Sequence, residues 1–174
     1  MTLPFAIPVL ETERLILREP READLVPMAE FGASDRSRFV GGPSDRWDAW
    51  RALIAGIGHW ALRGYGYWSV DLKESGQMIG RVGVINHDGW PEPELGWQVY
   101  EGSEGKGYAH EAALAARAFA KSGLGLGPLI SHIAPENQRS IRLAERLGAT
   151  FERRGTLKGS VIDIWRHPDA GDWV

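Results

Sequence analysis

Along residues 10–18, LETERLILR, apolar and charged positions alternate. Leu15 and Leu17 fall on one face and Arg14, Ile16 and Arg18 on the other, a period of two that predicts a first strand over about residues 10–18. The period then lengthens. READLVPMAEFG and DRWDAWRALIAGIGHWALRG predict two helices, the second entered through Ser44 and Asp45 and carrying Trp47, Trp50, Ile54 and Ile57 at spacings of three and four. GASDRSRFVGGPS lies between them as a loop. GYWSVDLKESGQMIGRVGVINHDG predicts two strands that turn at Glu74–Gly76, and EPELGWQVY a third that runs into a glycine-rich stretch. After these come a long alanine-rich helix to about Ser122, a short buried strand in PLISHIA, and a helix from Asn137 ending at Gly148. The chain closes in a hairpin turning near Lys158 and Gly159. The order β, α, α, β, β, β, α, β, α, β, β predicts an α+β (mixed α/β) domain. Its central sheet is mixed, largely antiparallel and twisted, with helices on its faces.

Composition narrows the class. At 174 residues, 43% hydrophobic and 25% charged, the chain has the size and balance of one globular domain, read as residues 1–174 with a core over about 10–167. It contains no cysteine, which rules out a disulfide framework, a thiol nucleophile or a thiolate metal site, and suits a cytoplasmic location. No signal peptide is expected, because Pro4 and Pro8 interrupt the apolar N-terminus and no basic region precedes it. No run reaches membrane-spanning length, and the histidines show no metal-ligand spacing. The net charge is −3 with the basic residues scattered, so neither a membrane nor a nucleic acid is an expected partner. A small-molecule or peptide substrate is expected instead, and the protein as monomer or homodimer.

The stretch EGSEGKGYAHEAALAARAFAKSG, residues 101–123, sets three glycines directly before a helix. Glycine lets the backbone turn and approach a ligand closely, and the first turn of a helix leaves about four N–H groups unpaired. Together they form a cradle for an anion, although an ordinary strand–helix turn has the same composition. A Walker loop fails, because Tyr100 and Gly107 stand where Gly and Ser or Thr are required. A dinucleotide fingerprint fails at His110, and a zincin helix fails at Leu114.

What does fit is the sequence of strand ELGWQVY, loop EGSEGKGYA, helix, strand PLISHIA and then ENQRSIRLAERLGATF. With LETERLILREPREADL at the start, the chain resembles the GNAT superfamily of N-acetyltransferases, in the branch of the ribosomal-protein N-terminal acetyltransferases. The resemblance spans nearly the whole chain. It implies transfer of an acetyl group from acetyl-CoA to a primary amine, on a protein N-terminus or a small molecule, by direct attack in a ternary complex without a metal. Gly105, Lys106, Gly107, Tyr108 and Ala109 would hold the pyrophosphate. Trp97 and Val99 would meet the pantetheine through their backbones, and Asn137 and Ser140 would contact the cofactor from the next helix.

Glu94 is the candidate base, acting through water, because a strand carboxylate at this place serves relatives so; a solvated strand-end carboxylate is the plainer reading. The Tyr that relatives use to protonate the thiolate is replaced by Ala144, which leaves Ser140 as the candidate acid, with Tyr108 or water behind it. The alternative function raised by that absence is a catalytically silent acyl-CoA sensor or regulatory module. His132 reads as a satisfied strand histidine. Asn137 also reads as a plain helix cap. Phe39, Trp47 and Trp50 are candidates for the acceptor pocket, against core packing. Arg36, Arg38 and Arg46 would favour an acidic acceptor unless they are simply solvated. Glu104, a carboxylate inside a phosphate loop, is expected to face solvent.

Overall fold

The computed structural model describes residues 5–169. The predicted first strand is two: β1 (Leu10–Glu11) folds back antiparallel onto β2 (Leu15–Arg18), with Leu10 opposite Leu17. The break has a local cause. Thr12 N–H donates to Leu15 O at 3.0 Å, while the Thr12 hydroxyl and the Arg14 amide both donate to Glu111, far along the chain. The predicted alternation holds on β2, where Leu15 and Leu17 are fully buried.

Helices α1 (Leu25–Ala33) and α2 (Arg46–Arg63) follow, the latter capped by the Asp45 carboxylate on Asp48 N–H. The strands are β3 (Tyr67–Leu72), β4 (Met78–Ile85) and β5 (Glu94–Val99), then, after α3 (Tyr108–Leu124), β6 (Ile130–Ile133). Helix α4 (Gln138–Arg146) and the hairpin β7 (Thr150–Leu157) and β8 (Ser160–Arg166) complete the order. One sheet runs β1-β2-β3-β4-β5-β6-β8-β7, antiparallel except between β5 and β6.

Alternation along β4 assigns the two faces. Val82 and Val84 lie in the main core under α3, whose Ala112, Ala113, Ala116 and Ala120 are almost wholly buried and let the helix approach the sheet closely. Arg81 points the other way, toward Met28 of α1. On α2 the apolar stripe differs from the predicted one. Ala49, Leu53 and Trp60 are buried, whereas Trp47 is 64% and Ile54 47% exposed. The helix is apolar nearly all round, so its register follows fit: small Ala49 packs with Met28 and Tyr100, and bulky Trp47 turns outward.

A buried ion network anchors α1 to the sheet. Arg18 on β2 makes paired hydrogen bonds to Asp24, at the head of α1, and to Asp71 on β3, at 2.6–3.0 Å. Burial alone would raise the Asp24 carboxyl, but donors from Arg18, the Ser69 hydroxyl and the Arg21 amide outweigh it and hold it below the usual range. Asp24→Ala is therefore expected to destabilise the fold by about 1–3 kcal/mol in urea unfolding, since it leaves Arg18 with Asp71 alone and the buried Ser69 hydroxyl without its acceptor. Because the folded value is depressed, Asp24's contribution is complete above the ordinary carboxylate range, near about pH 4, and is lost as pH falls through the lower folded value.

Candidate functional site

The glycine stretch joins β5 to α3 with Gly102, Gly105 and Gly107 all in left-handed conformation. Gly107 is the residue before the helix, at φ +82°, and no side chain caps it. Outside α3 itself, no backbone hydrogen bond among the described residues has the N–H of residues 105–109 as its donor. They stand at the positive end of a 17-residue helix. The loop is braced from behind by Arg14, whose Nη1 donates to Lys106 O at 2.9 Å and whose Nε donates to Glu111 at 2.7 Å. The same guanidinium lies 4.6 Å from the Tyr108 ring centre. Nothing in the sequence pointed to Arg14 as part of this loop.

Glu104 is not turned to solvent as expected. Its carboxylate pairs with Arg36, which also donates to Val99 O at 3.1 Å. Burial would raise the Glu104 carboxyl, yet loop amides at residues 102–104 and the Arg36 charge hold it below the usual range. The negative charge is thus neutralised inside the first half of the loop, and the second half keeps its amides free. Arg36 has a partner here, and Arg38 lies over the Phe39 ring.

The next element is a gap in the sheet. Ile130 N–H donates to Pro93 O at 3.2 Å, with Glu94 opposite Ile130, and there the parallel ladder stops. In a parallel ladder the bonds are evenly spaced, so His132 N–H would next reach Leu95 O. Two side chains intercept that rung. The Ser131 hydroxyl donates to Leu95 O at 2.6 Å, and Glu94 Oε1 accepts from His132 N–H at 3.3 Å. Past this point Tyr100 N–H pairs with Ile79 O on β4, which fixes the parity of β5. Even residues bond to β4, and the backbones of Trp97 and Val99 face the gap.

Ser131 is itself oriented by a buried relay. Arg117, which can only donate, bonds His167 Nδ1 at 3.2 Å; His167 therefore carries its proton on Nε2 and donates to Ser131 Oγ at 2.9 Å. Burial, with Arg117 and Arg166 nearby, pushes His167 down to about 3, so the imidazole stays neutral.

On the α3 and α4 side of the gap, three expected cofactor residues meet. Asn137 caps α4, its Oδ1 accepting Ser140 N–H at 3.3 Å and its Nδ2 donating to Ser140 Oγ at 3.0 Å. Trp97 Nε1 donates to the same hydroxyl oxygen at 3.2 Å. Ser140 Oγ thus accepts twice and keeps its own proton free to donate. On the opposite face Glu94 Oε2 accepts from Trp90 Nε1 at 2.6 Å and from His132 Nδ1 at 2.9 Å. Glu94 is buried rather than a solvated strand end. Beside it the space over Gly96 is filled by Tyr67: a Cβ there would lie 2.1 Å from the Tyr67 hydroxyl. Burial and the Glu94 charge raise the Tyr67 phenol, which stays protonated.

The same face carries a cleft of about 310 Å³, with Met28, Phe31 and Ala49 on its helix side and Arg81, Gln98 and Tyr100 on its sheet side. Phe39, Trp47 and Trp50, expected to shape an acceptor pocket, are not in its walls. Trp50 packs beside Met28 and Leu53, and Trp47 projects outward.

A glycine loop ahead of a helix lies here beside an opened strand pair, a geometry suited to an anionic ligand with an extended arm. Residues 14–150 match the acetyltransferase (GNAT) domain family. The chain belongs to this family of acetyltransferase enzymes. A solved acetyltransferase from Agrobacterium tumefaciens str. C58 is similar, at 40% identity and TM-score 0.86, with 97% of this chain and 98% of that one covered. An uncharacterised N-acetyltransferase, p20 of Bacillus licheniformis, is 27% identical, covering 90% of this chain and 92% of its own. The fold is shared with the ribosomal L7/L12 α-N-protein acetyltransferase RimL solved with coenzyme A, at TM-score 0.76, 15% identity, and 95% and 100% coverage.

The relay predicts a pH signature. His167 is depressed, so the unfolded chain takes up a proton below about pH 6.5 that the native state refuses until about 3. Stability is complete above pH 6.5 and falls across that window, by at most about 1.4 kcal/mol per unit. In urea titrations His167→Gln is expected to flatten that slope; an unchanged slope would show that His167 is not its source.

Proposed function

We propose that this acetyltransferase binds acetyl-CoA across the glycine loop and the β5–β6 gap and passes the acetyl group to a primary amine. The observation that carries the reading is the intercepted rung: beside an anion cradle, β5 presents unpaired backbone to a gap that an extended pantetheine arm would fill as a strand does. The amides of Gly105, Lys106, Gly107, Tyr108 and Ala109 would take the pyrophosphate, and Trp97 and Val99 the arm, with Asn137 and Ser140 on its far side. The fold shared with a coenzyme A complex supports the same cofactor.

In the reaction the amine nitrogen attacks the thioester carbonyl carbon; the C–N bond forms, the C–S bond breaks, and the sulfur leaves with the electron pair. A backbone N–H facing the gap would stabilise the oxyanion. Glu94 would take the amine proton through water, its Oε1 holding one backbone donor and retaining a lone pair. Ser140, with two donors polarising its oxygen, would protonate the thiolate.

Acetyl-CoA at a hundred times its dissociation constant is expected to raise stability by about 2.7 kcal/mol in thermal unfolding. Gly107→Val, which places a β-branched residue at positive φ in the cradle, is expected to abolish that shift while remaining folded. No shift in the wild-type protein would overturn the cofactor assignment.

Glu94→Gln is expected to lower kcat by about 10²–10⁴-fold, with the KM for acetyl-CoA little changed. Full activity in both Glu94→Gln and Ser140→Ala would remove both chemical assignments; thiol release from acetyl-CoA reads each case.

A further inference from the structure

The cleft on the α1–α2 face holds a cation without a counterion. Arg81 stands opposite Gln98 in the β4–β5 register. Its guanidinium lies 4.8 Å from the Tyr67 ring centre, and Nη1 lies 4.0 Å from Met28 Sδ. Both contacts orient the group, and neither neutralises it. None of the ion pairs among the described residues includes Arg81, although Arg18, on the same sheet, has two carboxylates. The one carboxylate in the cleft wall, Asp48, belongs to α2 and pairs with Arg51 at 3.5 Å, where both side chains are half or more exposed.

A second group points to the same kind of ligand. Tyr100 lines this cleft, is only 7% exposed, and its buried hydroxyl has no hydrogen-bond partner among the described residues. A buried hydroxyl without a partner costs about 1–3 kcal/mol, a cost that an oxygen acceptor in the cleft would remove. Arg81, Gln98 and Tyr100 together offer donors; Met28, Phe31 and Ala49 across from them offer apolar surface.

One side chain runs from the cleft toward Glu94. The Tyr67 ring lies under Arg81 and its hydroxyl rests against Gly96, so one tyrosine side chain spans from the guanidinium to the residue beside Glu94.

We propose that the acceptor is an amino-acid-like molecule: a primary amine that also carries a carboxylate and a compact apolar body. The carboxylate sits on Arg81 with Gln98 and Tyr100, the apolar body against α1, and the amine is directed past Tyr67 toward Glu94. A volume of about 310 Å³ matches a ligand of that size, at the lower end of small-molecule sites. Polycationic amines would place positive charge against Arg81. This assignment rests on the acetyl-transfer reading above.

The test compares phenylalanine with phenethylamine and leucine with isopentylamine, and includes spermidine, by thiol release at saturating acetyl-CoA. Each amino acid is expected to show kcat/KM at least about tenfold above its carboxylate-free partner. Arg81→Met is expected to erase that ratio while leaving phenethylamine within about twofold of wild type. Gln98→Glu, which gives Arg81 an internal carboxylate, is expected to erase it with Arg81 still in place. Equal rates within pairs, a preference for spermidine, no turnover of any of these amines, or an equal loss on both members in Arg81→Met would each overturn the proposal. The acetyl-CoA thermal shift on the same preparations separates the two readings. With the shift present only the acceptor assignment falls, and with it absent the cofactor reading falls as well.

Discussion

One absent hydrogen bond organises this molecule. Between β5 and β6 the ladder lacks the rung from His132 N–H to Leu95 O, and both ends are satisfied by side chains, Glu94 for the amide and Ser131 for the carbonyl. Unpaired buried backbone is costly, so a sheet does not part without such substitutes. Here Glu94 belongs to the last pair and Ser131 lies one residue past it, and the opening therefore has a fixed starting point. Arg117 and His167 hold Ser131 in the orientation this requires, from the far side of the sheet.

The other half of the site follows from charge placement. The loop proposed to hold an anion contains a glutamate, and Arg36 pairs with it and reaches Val99 at the head of the gap. Glu111, in the first turn of α3, is likewise turned to Thr12 and Arg14. Both carboxylates near the helix start are thus committed to protein partners, which leaves the field of the free amides to a ligand.

Much of the fold was legible because its strands and helices have distinct periods, and α3 in particular announces itself through glycines followed by alanines. The misread elements share a cause. Residues 10–18 look like one strand because alternation persists through the bend at Thr12, and only a glutamate about a hundred positions later breaks it. On α2, apolar residues surround the helix, so pattern alone could not choose between Ala49 and Trp47 for the buried stripe. At the candidate site, the glycine loop, Asn137 and Ser140 were proposed from motif and resemblance, and Trp97 and Val99 from their strand. Arg14, Ser131, Tyr67 and Arg81 were not, because each acquires its place through a neighbour distant in sequence. The closest available signal was Gly96, a strand glycine that marks a close approach.

The clasp of Thr12 and Arg14 on Glu111 joins positions 97–99 residues apart. Through Arg14 it also holds the carbonyl of Lys106, so the conformation of the glycine loop is not encoded by the loop. A peptide spanning residues 101–124 would carry every glycine of the loop and the whole helix and still lack the brace. In the order of folding, contacts of such long sequence separation form against a large loop-closure entropy. The proposed cradle is accordingly complete only when the first strands have docked against a helix made from the middle of the chain.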